Sequence, residues 1–297
     1  MKTTLHLLFF IAASCSVYAQ AANTGMTFLQ LGVGARSVAM GEAAVASATD
    51  GTAPYYNPAA LSFAAQSDIT VMHKNWITDV STEYLGAAVK GGPVALGFSF
   101  NATNVSGIDV RTQPGDAIGT FDAHDMAITG SASFKAADDL AFGVSGKFLY
   151  EKIFTDEASG YAIDLGGMYT VSPSLAVGAA LSNLGSVNEL KNEKIELPAL
   201  LRAGAAYTGA LADRFTYAVN GEVVKIFKQS KPPLHMGGEV SFDKTIALRA
   251  GYQTGYEAKN ISAGVGVGYG MLLFDYAFVP LQSGLGTSHT FSLSFRI

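Results

Sequence analysis

The chain has 297 residues, 49% hydrophobic and only 14% charged, with 33 glycines and a formal net charge of −5. Charge is scarce against the roughly 25% usual in soluble domains, yet no apolar run approaches the ~20 residues a membrane-spanning helix needs. An apolar, Gly- and Tyr-rich chain of this kind favours an all-β transmembrane antiparallel barrel over a soluble β domain. Nucleic acid is disfavoured as a partner, because no basic face could release counterions.

Residues 1–19 read as a cleaved secretory signal. Lys2 gives the positive end, Leu5–Ala13 the apolar segment, and Val17-Tyr18-Ala19 a small-x-small cleavage site that leaves Gln20 first. Ala12-Ala13-Ser14-Cys15 is a poorer lipobox. With the leader gone the chain has no thiol, and loss of Lys2 leaves 18 basic against 24 acidic residues, or −6.

From Phe28 to Leu61 the chain is neither strand-like nor a clean amphipathic helix. Gly32, Gly34, Gly41 and Gly51 interrupt it, and Asn57-Pro58 ends it in a turn. So little apolar bulk cannot form its own core, so residues 20–66 are expected to fill a space that residues 67–297 enclose.

From Asp68 onward, runs of about ten residues alternate with period two. Leu140, Phe142, Val144, Phe148 and Tyr150 share one face, opposite Ala141, Gly143, Ser145 and Lys147. Met271–Val279 repeats the pattern. About fourteen segments begin near residues 67, 82, 93, 124, 139, 158, 174, 197, 213, 232, 244, 258, 270 and 288, an even number as a bacterial single-chain barrel requires. Connections after even-numbered segments are short: Gly91-Gly92, Ala136–Asp138, Val171–Pro173, Gly209–Ala212, Asp243 and Gly270. Those after odd-numbered ones are mostly longer: Asn101–Ala123, Lys152–Glu157, Leu184–Glu196 and Leu281–Thr287. Such alternation marks periplasmic turns and external loops, and it places both termini in the periplasm.

A charge facing lipid at mid-membrane costs about 2–4 kcal/mol for Arg or Lys. Lys147, Asp164, Arg202, Glu222, Glu239, Arg249, Asp275 and Arg296 should therefore point into the lumen, either as a self-neutralising network or as the lining of a solute path. Ser262, Gly264, Gly266 and Gly268 give the twelfth segment a small inner face, where another backbone can approach closely. Tyr150, Tyr161, Tyr169, Tyr207, Tyr252 and Tyr269 lie near segment ends, as interfacial girdles require. The C-terminal run ends amphipathically, with Phe291, Leu293, Phe295 and Ile297 on one face.

Catalytic chemistry is not visible. His6, His73, His124, His235 and His289 show no metal-ligand spacing, and neither a G-x-S-x-G elbow nor a P-loop occurs. Asp122 and His124-Asp125 read as a solvated external turn. No enzyme activity, metal or cofactor is expected.

Gly34-Ala35-Arg36-Ser37, Ala39-Met40-Gly41, Asp50 and Asn57-Pro58-Ala59-Ala60-Leu61 together resemble the opening of the PorV/PorQ family, itself related to FadL-type outer-membrane transporters. The resemblance covers roughly forty residues, and beyond them only the architecture agrees. It implies a fourteen-stranded outer-membrane barrel of a Gram-negative cell, its lumen plugged by a segment carrying Gly34, Arg36, Gly41, Asp50, Asn57 and Pro58. It further implies a non-enzymatic accessory or cargo shuttle of type IX protein secretion, with outer-membrane lipid and secretion-system subunits or exported proteins as partners. The alternative it implies is a FadL-like transporter of a hydrophobic solute. The mostly polar loops, Gln113–Asp116 and Lys191–Lys194, fit protein handling better than lipid capture.

Overall fold

The computed structural model describes residues 24–297 except 228 and 230. The expected signal peptide, its cleavage site and Cys15 lie outside the described residues. Fourteen antiparallel strands form one closed barrel: β1 Asp68–Asn75, β2 Val80–Val89, β3 Val94–Val110, β4 Gly119–Ala137, β5 Leu140–Ile153, β6 Asp156–Ser172 and β7 Leu175–Val187. They continue as β8 Leu200–Ala212, β9 Phe215–Ile226, β10 Leu234–Phe242, β11 Ile246–Gln253, β12 Ile261–Tyr269, β13 Leu272–Pro280 and β14 Thr287–Arg296. Each strand pairs with its sequence neighbours, and β1 closes on β14 from Asp68↔Arg296 to Asn75↔His289.

Alternation creates the two faces. On β5, Phe142 and Val144 are exposed, whereas Ala141, Gly143, Ser145 and Lys147 are buried. Around the wall Phe98, Phe134, Ile163, Leu248, Phe274 and Leu293 also project outward. An exposed apolar surface this continuous is a lipid-facing band. Tyr161, Tyr169, Tyr207, Tyr252 and Tyr269 are all exposed on it.

The expected Asn101–Ala123 loop is not a loop. β3 and β4 stay paired out to Val110↔Gly119, with a register shift between Val105 and Ile108, so only residues 111–118 connect them. Likewise the expected Lys152–Glu157 loop is a two-residue turn at Phe154-Thr155, with Phe154 at φ 57°. Both ladders run on into water, where the outer face no longer has to be apolar, so the polarity that reads as loop is solvated strand. Asp122 and His124 sit on the exposed face of β4 and Asp125 on the opposite face, so the three do not form one turn.

Residues 24–66 lie inside the barrel. Thr27–Gln30 and Pro58–Phe63 are 3-10 turns, and the short helices are α1 Ala35–Ala39 and α2 Ala53–Tyr56. The segment starts at the outer mouth, where the Gly25 amide donates to the Glu196 carbonyl, and it reaches the opposite end beside Lys90, whose ammonium donates to the Ala65 carbonyl. The start of β1 and the end of β14 share one rim, but the described chain begins at the other. The segment before β1 thus runs back through the whole lumen, and the expected mature N-terminus at Gln20 lies outside the described residues.

A lysine at Val144, on the lipid face, should destabilise folding into bilayers by about 2–4 kcal/mol. Reversible denaturant titration in lipid vesicles measures this.

Candidate functional site

The lumen filled by residues 24–66 is the candidate site, because its polar chemistry is concentrated where segment and wall meet. Arg36, on α1, donates to Glu239 through Nε at 2.9 Å and Nη2 at 3.1 Å. Arg249 donates to the same carboxylate at 2.6 Å and to Asp275 at 2.6 Å. Glu222 accepts from the amides of Ala44 and Val45, each at 2.8 Å, and from Arg202 at 2.8 Å. Arg202 also lies over the Tyr56 ring, 5.4 Å from its centroid. Lys147 pairs with Asp164 at 2.7 Å and donates to Asn183 at 2.8 Å. Buried charges persist only when paired and hydrogen-bonded, and these meet that condition. Arg296 is different. It is half-exposed at the periplasmic rim, 3.9 Å from Asp68, and does not enter the lumen.

The motif residues each have a structural task. Asn57 is fully buried; its amide nitrogen donates to the carbonyls of Val45 at 2.8 Å and Gly167 at 3.2 Å, while its oxygen accepts from the Ala59 amide. Asp50 accepts from the Thr52 amide at 2.9 Å and its hydroxyl at 2.5 Å. Pro58 opens the last 3-10 turn, which packs against Gly143. Gly34, at φ 76°, and Gly41, at φ 65°, take left-handed conformations that L side chains resist. Gly41 also sits against the backbone of Met236 and Tyr252, and on the facing wall a Cβ at Gly237 or Gly251 would strike Met40 or Gly41. On β12, the Ser262 hydroxyl bonds the Gly41 amide and Ala39 carbonyl, and Gly264 faces Ala39. Gly266 instead makes room for the Arg249–Asp275 pair.

Sequence reasoning passed over several participants. Glu42 pairs with Lys259 of the β11–β12 loop at 2.7 Å, and Lys74 donates to the Gly32 carbonyl at 3.2 Å. Lys74 shares the inward face with Asp68, Thr70 and Met72, so strand parity would have found it. Glu42 carries no such signal, because its segment has no period.

At the outer end the lumen turns apolar. Met26, Phe28, Leu29 and Leu31 pack with Ala127, Leu149, Ala162 and Leu197, and Trp76, Val187 and Ile195 adjoin them. Beside this cluster the wall is broken. The β7–β8 ladder ends at Ser182↔Leu200, while β7 continues to Val187 paired only with β6. Asn183, at φ 63°, marks the irregularity, and its side chain donates to the Pro198 carbonyl at 3.2 Å across the break. β3 beyond Val105 and β9 beyond Val223 likewise outrun the ladder on one side.

A closed fourteen-stranded antiparallel barrel with an apolar exterior and a filled polar lumen has the build of a membrane-spanning barrel. Among solved structures the chain is similar to the Ralstonia pickettii toluene transporter TbuX, with a TM-score of 0.63 and 14% identity over 90% of this chain and 98% of that one. The CymD monoaromatic hydrocarbon channel gives 0.66 and 14% over 92% and 99%, and the P. putida toluene transporter TodX 0.63 and 13% over 90% and 99%. At these identities the fold is what is shared. No family model matches the chain, and no curated protein matches it in sequence.

Replacing Glu222 by alanine leaves Arg202 buried without its carboxylate and orphans two amides, a change expected to cost about 3–5 kcal/mol. Glu222→Gln, which keeps an acceptor for the amides, should cost less. Denaturant midpoints of the two variants in lipid check the order.

Proposed function

We propose that this protein is a non-enzymatic outer-membrane channel for small hydrophobic solutes, with residues 24–66 as the hatch that closes its lumen. The observation carrying this reading is the outer apolar cluster and its contact with the break between β7 and β8. A greasy solute entering from outside meets Met26, Phe28, Leu29 and Leu149 before any of the buried ion pairs. Along the adjoining stretch of wall β7 and β8 have no backbone ladder past Ser182↔Leu200, and Asn183 bonds the Pro198 carbonyl across it, so the route of least disruption runs sideways into lipid. The fold shared with toluene transporters and a monoaromatic hydrocarbon channel supports the same solute class. The buried charge network then serves to anchor the hatch. Cells carrying this barrel should take up radiolabelled toluene several-fold faster than cells without it, and Leu149→Arg should abolish the gain while the protein still folds by heat-modifiable gel mobility. Uptake no faster than in cells without the barrel removes the proposal.

A second reading, the type IX secretion accessory or cargo shuttle, is favoured by the Gly34–Leu61 resemblance to PorV/PorQ and by the polar outer connections at 111–118 and 188–199. Binding would then occur on those connections, with the hatch permanently seated. A cysteine at Gln113, used for crosslinking in intact cells, should capture secretion subunits or exported proteins if this reading holds, and no protein if the barrel only passes solutes.

A further inference from the structure

At the outer mouth, the lumenal faces of β3, β4 and β5 carry a group of side chains that the ion-pair network does not use. Thr103, Asp125 and Glu151 lie side by side across the three strands, and Asn101, Ala127 and Leu149 form the next row inward. Glu151 is buried and Asp125 partly so. Glu42, Asp164, Glu222, Glu239 and Asp275 each hold a Lys or Arg. Among the described residues, Asp125 and Glu151 form no ion pair, and the two are partners across the β4–β5 ladder. One row below, Asn101 is 3% exposed on the lumenal face, and neither its Oδ1 nor its Nδ2 has a hydrogen-bond partner within the chain. A buried amide with nothing to bond bears its full desolvation penalty. It is a group positioned for something the chain does not supply.

Strand spacing sets the scale of this group. Neighbouring strands lie about 4.7–4.9 Å apart, and diagonal neighbours such as Asn101 and Asp125 about 7–8 Å. Asn101 and Glu151 are two strands apart, about 9–10 Å across the ladder, with Asp125 between them, so a small cationic head beside Asp125 lies within side-chain reach of both. Three acceptors match the three donors of a primary ammonium. A divalent ion such as calcium would want six to eight oxygens, more than the five of these three groups. Immediately inward, Ala127 and Leu149 belong to the apolar cluster that includes Phe28 and Leu29.

We propose that the outer mouth holds a subsite for small amphiphilic primary amines, the ammonium seated among Asp125, Glu151 and the Asn101 Oδ1 and the apolar body laid against the Phe28–Leu149 cluster. This refines the solute class of the transport reading and rests on that reading for the solute's entry, but it concerns binding and is measured apart from uptake.

Trp76, the single tryptophan of the chain, adjoins the cluster and reports on it. The purified full chain in a non-ionic detergent is titrated with hexylamine, 1-hexanol and hexanoate while Trp76 fluorescence is followed. Hexylamine should bind at least roughly tenfold more tightly than the other two, the scale of a charge-assisted hydrogen bond. Asp125→Asn combined with Glu151→Gln should bring hexylamine down to the affinity of hexanol, and Asn101→Leu should narrow the gap, with folding of each variant checked by heat-modifiable mobility. Equal affinity for the three probes overturns the proposal. So does an amine preference that survives the double variant, or a saturable response to calcium chloride in place of hexylamine. If the amine preference stands and toluene uptake fails, the transport reading falls and the subsite remains. If toluene enters and the amine shows no preference, only the subsite falls.

Discussion

An irregular backbone packed inside a closed barrel must have its buried amides and carbonyls met by the wall or by the segment itself. That constraint organises the lumen. Glu222 caps two consecutive amides, Ser262 bonds an amide and a carbonyl, Ser292 takes the Ala35 amide at 2.8 Å, and the Asp68 carboxylate takes that of Gly51 at 2.9 Å. Tyr84 reaches in to the Gly51 carbonyl at 2.8 Å. The inward charges follow from it: an acidic acceptor for backbone amides must itself be neutralised, which is what Arg202 does for Glu222.

Close approach is the second half of the same arrangement. Wall glycines at 237, 251 and 264 face Met40, Gly41 and Ala39, so the segment's backbone lies against the strands' backbone with little side chain between them. Elsewhere larger side chains fill the space, as at Tyr56, whose hydroxyl exchanges hydrogen bonds with both backbone atoms of Val33 at 3.1 and 2.9 Å. At the outer end this regime stops, and apolar packing among Phe28, Leu29 and Leu149 takes over. The change of chemistry along the lumen separates an anchoring zone from a zone that apolar matter can enter.

Much of the barrel was legible in the sequence because lipid enforces period two. Phe142, Val144 and Phe274 stand out against small or polar alternates, and the segment starts fall close to those of the actual strands. Legibility failed where lipid stops. The outer halves of β3 and β4 alternate in water, so Asn101–Val110 and Gly119–Ala123 carry no apolar signal and read as loop. The β7–β8 break was invisible for another reason: it depends on where β8 stops pairing with β7, which the period of β7 does not record. Inward charges were found by parity, while Glu42 and Lys259 meet only through the tertiary fold. Asp125 was grouped with its sequence neighbours Asp122 and His124, although its lumenal neighbour is Glu151, across the ladder.

The strand pair that seals the cylinder also grips its contents. Ala35 and Ser292 are 257 residues apart and joined by a hydrogen bond, and Ser292 and Ser294 belong to the same β14 face that meets β1. Residues 24–66 traverse the lumen from one rim to the other and continue directly into β1, so a finished hoop would have to be threaded from a rim through a passage with little free width. Wrapping avoids this. A curved ribbon of strands gathering around the N-terminal segment, with β14 arriving last to meet β1, places that segment as the mandrel on which the cylinder is formed.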